Sequence, residues 1–341
     1  MCPPKDFVPA QTISVLAVVN TFPSDTDPGN PSIKEQLLAL QERGVHIDLL
    51  IIETSDKKSY LNVAWRLFLL TFQKRRYCLI HAYYGLCGLL ALLQFKYPII
   101  VTFLGSDLLN SKNGRYVPSR DSVIGRIVAR LVDGIIVMTE EMKQVIKREN
   151  ALIIPFGIDL SIFYPCPKEQ ARLALDIPLD EKLILFPWKP TRPEKRFDII
   201  EEAIHLLQAK FDKVHLVTLY NKPHETVAKY MNACDVMVLA SEHEGSPVTV
   251  KEAIACNLPV VSVHVGDVAG LIKEIDGCYL CERTPKDMAQ KIGWVLKRGQ
   301  RVNGHQKIIT MTIDWAVEKV LDLYRHTSSK TGSENKSRLS I

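Results

Sequence analysis

An α/β chain of two doubly wound domains is the fold class that the sequence predicts. Short apolar runs alternate with helix-period segments along most of the chain. The alternation restarts past the middle, after a group of turn residues. The 341 residues suffice for two domains of ordinary size. Such alternation argues for parallel sheets with helices on both faces.

The elements follow in order. Ile13 to Val19 reads as a first strand, Pro31 to Arg43 as a helix with Leu37, Leu38 and Leu40 on one face, and Val45 to Ile52 as the next strand. Strand-like runs follow at Cys78 to His81, Pro98 to Phe103, Gly134 to Met138 and Ala151 to Ile154, with helical segments between most of them. Phe156-Gly157-Ile158-Asp159 and Pro165-Cys166-Pro167 are turn signals. A second set then begins: strand Lys182 to Phe186, helix Lys195 to Lys210, strand Val214 to Leu219, helix Glu225 to Ala233, strand Asp235 to Ala240, a helix, and the run Leu258 to Val263. The expected units are 1–160, 161–312, a closing helix 313–327 packed back toward the first domain, and a polar tail 328–341 without apolar period, expected to be disordered. Two such domains leave a cleft at the carboxyl ends of their strands, where ligands bind.

Composition narrows the class. No stretch reaches the roughly 18 uninterrupted apolar residues of a membrane span. The nearest, Tyr84 to Gly105, is broken by Gln94, Lys96 and Pro98. The start, Met1 to Asp6, lacks the short apolar core of a secretory signal, so a cytoplasmic protein is expected. Eight cysteines lie scattered, mostly inside apolar runs, which suits buried thiols. The net charge of +5 is unevenly placed: residues 57–96 contain no Asp or Glu, and basic residues are interleaved there with Tyr60, Leu61, Trp65, Leu67, Phe68, Leu69 and Phe72. Such a helix suits a peripheral position on an anionic membrane surface, or a core-packed helix with a solvated basic edge. No nucleic-acid motif accompanies it.

The segment Ser241 to Ala253 carries the most chemistry. Ser246 is a good N-cap type, and Pro247 suits the first helical position. The amides of Val248 and Thr249 would then be unpaired within the helix and, with the helix dipole, form an anion site. Gly245 lets a ligand approach the backbone. Glu244 and Glu252 flank this start, and ionised carboxylates accept hydrogen bonds from the hydroxyl pairs of sugars. The bland alternative is a capped helix with solvated glutamates. A second cluster, Lys189, Arg192, Lys195 and Arg196, sits where a strand meets a helix, and cations there could neutralise a departing diphosphate. Together the two clusters match a nucleotide sugar.

On these residues the chain resembles the family 4 glycosyltransferases of GT-B architecture over nearly its whole length. Glu244-Gly245-Ser246-Pro247 through Glu252-Ala253 resembles the family's E-x7-E motif. Ile154 to Asp159 with Phe163-Tyr164-Pro165, Pro193 to Asp198, and Val101 to Asp107 resemble three further segments. The wording around Lys251 to Pro259 and Val265 to Val268 looks closest to bacterial enzymes of cell-surface polysaccharides, including the teichuronic-acid type. The resemblance implies a metal-independent, retaining hexosyltransferase. It would move sugar from a UDP- or GDP-linked donor to a polysaccharide or lipid-linked glycan, with no further cofactor. It implies that Glu244 holds the donor sugar, Glu252 the ribose, and Lys195 with Arg192 or Lys189 the diphosphate, Arg192 being favoured. Gly29, Asn30, His81, Gly105 and Asp107 fall on the acceptor side, with a packed role equally open for His81. Leu104 replaces a frequent family histidine.

Two signals are set aside. Asp25-Thr26-Asp27 has a metal-binding D-x-D form but sits in a Pro/Gly-rich turn. Cys278-Tyr279-Leu280-Cys281 is a lone CxxC that reads better as a strand. A nucleotide-sugar epimerase and a non-catalytic partner protein of the same architecture are the rival readings.

Overall fold

The computed structural model describes residues 13–20, 22–23, 29–53, 56–109, 111–112, 115–116 and 119–338. The Asp25-Thr26-Asp27 signal lies outside them.

The first domain runs β1 (Ser14–Val19), α1 (Pro31–Glu42), β2 (His46–Ile51), α2 (Lys57–Leu70), β3 (Leu79–Tyr83), α3 (Gly85–Ala91) and β4 (Ile99–Thr102). It continues through a small hairpin, β5 (Ser111–Lys112) and β6 (Arg115–Tyr116), then α4 (Arg120–Leu131), β7 (Gly134–Val137), α5 (Glu140–Ile146) and β8 (Leu152–Ile153). Six strands form one parallel sheet in the order β2-β1-β3-β4-β7-β8. The second domain runs α6 (Lys168–Leu173), β9 (Lys182–Phe186), a single 3-10 turn at Pro193–Lys195, α7 (Phe197–Gln208), β10 (Val214–Thr218), α8 (His224–Ala233) and β11 (Val236–Leu239). Then come α9 (Val248–Ala255), β12 (Val260–Val263), α10 (Val268–Ile272), β13 (Tyr279–Cys281), α11 (Pro285–Arg298) and α12 (His305–Ile308). Its five strands are parallel in the order β10-β9-β11-β12-β13. Central strands such as β3, β4, β7, β11 and β12 are buried throughout, as continuous apolar runs covered on both faces must be.

The core changes between Phe156, which belongs to the first, and Ile158, which belongs to the second. The last helix, α13 (Ile313–Arg338), returns Ala316, Val317, Val320, Leu321 and Tyr324 to the first core. The two crossings run side by side: the Ile158 amide donates to Met311 O, and the Ile313 amide donates to Ile158 O. Gly157 is needed there, because a Cβ would meet Thr312 O at 2.2 Å.

Two local expectations are corrected. The polar tail from 328 is helical through Arg338. Extending an established helix costs far less than nucleating one. The predicted helix from Lys195 is interrupted: Arg196 is left-handed, with φ 51°, between the 3-10 turn and α7. The Cys278–Cys281 segment enters β13, and burial pushes its thiols up to about 11 and about 12. Neither thiol is a ready nucleophile at neutral pH.

His81 is a packing residue and faces no cleft, which corrects its place on the acceptor side. It is fully buried in β3, with Nδ1 2.6 Å from the Tyr324 hydroxyl and Nε2 2.7 Å from Thr102 Oγ1. A sequence shows that a histidine follows a strand, but not that a helix from the far end of the chain covers it. Burial lowers its pKa from 6.5 to about 3, so the ring is neutral in the fold. Its contribution to stability is therefore present above pH 6.5 and lost as pH falls toward 3. The wild-type melting temperature should fall more steeply on acidification than that of His81→Gln. Parallel curves in a calorimetric pH series would contradict this.

Candidate active site

The site lies where loops after β4, β9, β11 and β12 converge across the two domains. Three glycines make the approach close enough. Gly105, at φ 133°, would place a Cβ 3.1 Å from the Gly245 amide. A Cβ on Gly245 would lie 2.6 Å from Leu104 O, and one on Gly266 would lie 2.2 Å from Gly245 O. Backbone therefore packs on backbone at the seam, and only glycine allows that spacing.

Asp107 builds this loop. It is fully buried, and its carboxylate accepts from the amides of Gly85 (3.0 Å), Leu104 (3.0 Å) and Gly105 (2.9 Å). Burial pushes its pKa up to about 6, and those amides oppose the rise. Its oxygens are committed to backbone, which corrects the acceptor-side assignment. Gly29 and Asn30 lie at the amino end of α1, where Asn30 caps the helix by accepting from the Ser32 amide at 3.1 Å. Gly29, at φ 50°, is pressed against the Phe22 backbone.

On the second domain the structure brings Lys195 and Glu244 together, with Nζ 2.5 Å from Oε1 and both side chains largely buried. The Lys195 ammonium also sits 4.6 Å from the centre of the Trp188 ring. The partnership is set by backbone: the Glu242 amide donates to Glu194 O at 2.8 Å, which fixes the 193–195 turn against the segment ahead of Glu244. Arg192 turns outward to Glu194, 2.5 Å away, and is half exposed. Lys189 lies over the Tyr220 ring, 5.4 Å from its centre. Arg196 pairs with Asp198 and, at 3.5 Å, with Glu242. Neither Arg192 nor Lys189 shares the contacts of the Lys195–Glu244 pair.

The cap of α9 differs from expectation. Pro247 is the N-cap, Val248 and Thr249 are the first helical residues, and Ser246 makes no capping bond. The turn through Gly245 and Gly266 carries the chain into the helix one residue later, so Ser246 stands outside the first turn. The α9 amino end still lies close behind Glu244, after Gly245-Ser246-Pro247, and offers its first amides. Just ahead, Ser241 Oγ and His243 Nδ1 are buried without a hydrogen-bond partner among the described residues. Buried polar atoms of that kind call for a ligand or water.

Glu252 is buried one turn further along α9. Burial raises its pKa from 4.5 to about 8, and the nearby Glu35 carboxylate adds to the rise. Glu35 comes from α1 of the other domain and pairs with His224 Nδ1 at 3.0 Å, so it spans the seam. The neighbouring Lys251 is fully buried and donates to Phe156 O at 2.7 Å, which fastens α9 to the interdomain crossing. The sequence reading missed Glu35, His224 and Lys251. Glu35 and His224 lie in no motif and far apart in the chain, and Lys251 stood in plain view within the motif without any sign of burial. Among the described residues no group of three His, Cys, Asp or Glu side chains gathers as a metal cluster.

With this geometry in hand, comparison with known proteins places the chain. Residues 182–298 match the family described as glycosyl transferases group 1. The match lies within the second domain. The chain is 29% identical over 238 residues to TuaC of Bacillus subtilis, a glycosyltransferase named for teichuronic acid biosynthesis; the match covers 63% of this chain and 60% of TuaC. In fold it is similar to the sucrose-phosphate synthase of Thermosynechococcus elongatus, with TM-score 0.75, 20% identity, and coverage of 93% of this chain and 100% of that one. It is also similar to HepE of Anabaena, solved with UDP and glucose, with TM-score 0.68, 12% identity, and coverage of 92% and 100%. The chain thus has the GT-B architecture, with two Rossmann-like α/β domains.

The buried Glu252 yields a signed prediction. Its folded-state proton is held up to about pH 8, whereas an unfolded carboxyl releases it near 4.5. The native state binds more protons in that window, so this contribution is full below pH 4.5 and lost as pH rises to about 8. Glu252→Gln should remove the loss. Its melting temperature relative to wild type should be higher at about pH 8 than at about pH 5; a difference independent of pH would contradict the assignment.

Proposed function

We propose that this protein transfers a hexosyl group from a UDP- or GDP-linked donor to a polysaccharide or lipid-linked glycan, with retention and without a metal. The observation that carries the reading is the buried Lys195–Glu244 pair at the amino end of α9. A buried lysine held by a carboxylate there is a cation ready for phosphate, and the α9 amides would face the same anion. When a diphosphate enters, Lys195 turns to it, and Glu244 is freed to accept hydrogen bonds from the donor sugar's hydroxyls. Glu252 would hold the sugar of the nucleoside by accepting hydrogen bonds from the ribose hydroxyls. Charge developing on the leaving diphosphate would be stabilised by Lys195 and the helix start, with Arg192 or Lys189 swinging in from the loop. The acceptor would attack from the same face as the departing phosphate, whose oxygen takes the acceptor's proton. The likeness to TuaC supports a surface-polysaccharide acceptor, and the UDP and glucose held by HepE support a nucleotide-sugar donor.

The test is Glu244→Ala assayed for sugar transfer with a panel of nucleotide sugars. Transfer should drop by about a hundredfold or more, the scale of one lost positioning or electrostatic group, with the melting curve kept. Transfer at wild-type rate would refute the site. Isomerisation of the free donor without acceptor would favour the epimerase reading.

A further inference from the structure

We propose that α2 and the turn between α3 and β4 form a docking face for an anionic membrane surface. The α2 helix carries two apolar stripes. One, with Val63 and Leu67, is buried in the first core. The other, Leu61, Trp65 and Phe68, continued by Phe72 just past the helix end, recurs at helical spacing and faces solvent, with exposures of 74%, 60%, 37% and 73%. The rings are in mutual contact: Trp65 and Phe68 centres are 5.8 Å apart, and Phe68 and Phe72 centres 5.4 Å. Phe95, 81% exposed, joins them from the neighbouring turn, whose backbone amide at Phe95 donates to Thr71 Oγ1 at 3.4 Å. The Lys96 ammonium bonds the Gln73 carbonyl, which ties that turn to the end of α2.

A water-facing cluster of this size is unusual for a soluble face and marks an interaction surface. Charge selects the occupant. Lys58 precedes the stripe by one turn, Arg66 borders it, and Lys74 and Arg75 follow it; all four are exposed. No Asp or Glu occurs from 57 to 96. A second copy meeting this face symmetrically would set basic rim against basic rim. Anionic headgroups would meet the rim, while the aromatic stripe enters the acyl boundary. No helix among the described residues is long and apolar enough to cross a membrane.

The test is co-sedimentation of the full chain with vesicles of phosphatidylcholine alone or mixed with phosphatidylglycerol. Binding should require phosphatidylglycerol and weaken as salt rises. Trp65→Ser with Phe72→Ser should lower it by about tenfold or more, since each buried aromatic is worth about that factor. Both side chains are outside the core, so the melting curve should be unchanged. Equal binding to neutral vesicles, no binding at low salt, or unaltered binding by the double variant would overturn the proposal. So would self-association without vesicle binding that the double variant abolishes.

Discussion

Everything at the cleft depends on backbone meeting backbone at Gly105, Gly245 and Gly266. A single methyl group on Gly266 or Gly245 would overlap a carbonyl oxygen at 2.2 or 2.6 Å. Because no side chain intervenes, the loop after β4 in one domain lies on the loop after β11 in the other. Asp107 holds the first loop in shape with three amide contacts, and α9 starts immediately behind the second. The seam therefore delivers a helix start, a carboxylate and a lysine to one place without relying on flexible side chains.

Burial of charge is the second constraint. Lys195 and Glu244 neutralise each other, Lys251 spends its ammonium on Phe156 O, and Glu35 meets His224 across the seam. Such pairs rarely stabilise a fold much, since desolvation offsets attraction. Their value here is geometric. The Glu35–His224 and Lys251–Phe156 O contacts join the two domains. Beside them Gly157 packs closely on Thr312, where the chain crosses between the domains twice.

The alternation of strands and helices was legible because parallel strands buried on both faces are continuous apolar runs, and β9 begins and ends where its pattern does. The residues Glu244, Lys195 and Gly245 were legible for a different reason: their types are chemically specific and their spacing around a strand and a helix start is local. His81 and Asp107 were misread because burial is a tertiary property. What covers His81 is Tyr324, and what occupies Asp107 is backbone from two loops. Ser246 was misjudged by one residue because a glycine-built turn delays the helix, a detail that capping preference alone does not register. The Glu35–His224 contact had no local signal at all.

The central claim is that Lys195 and Glu244 hold each other only until a diphosphate takes the lysine. A crystal structure with uridine or guanosine diphosphate tests it most directly. The account predicts phosphate oxygens at the amino end of α9, the Lys195 ammonium bonded to them, and Glu244 released toward the cleft. A nucleotide bound away from α9, or one bound with the Lys195–Glu244 pair intact and the phosphates out of its reach, would contradict it.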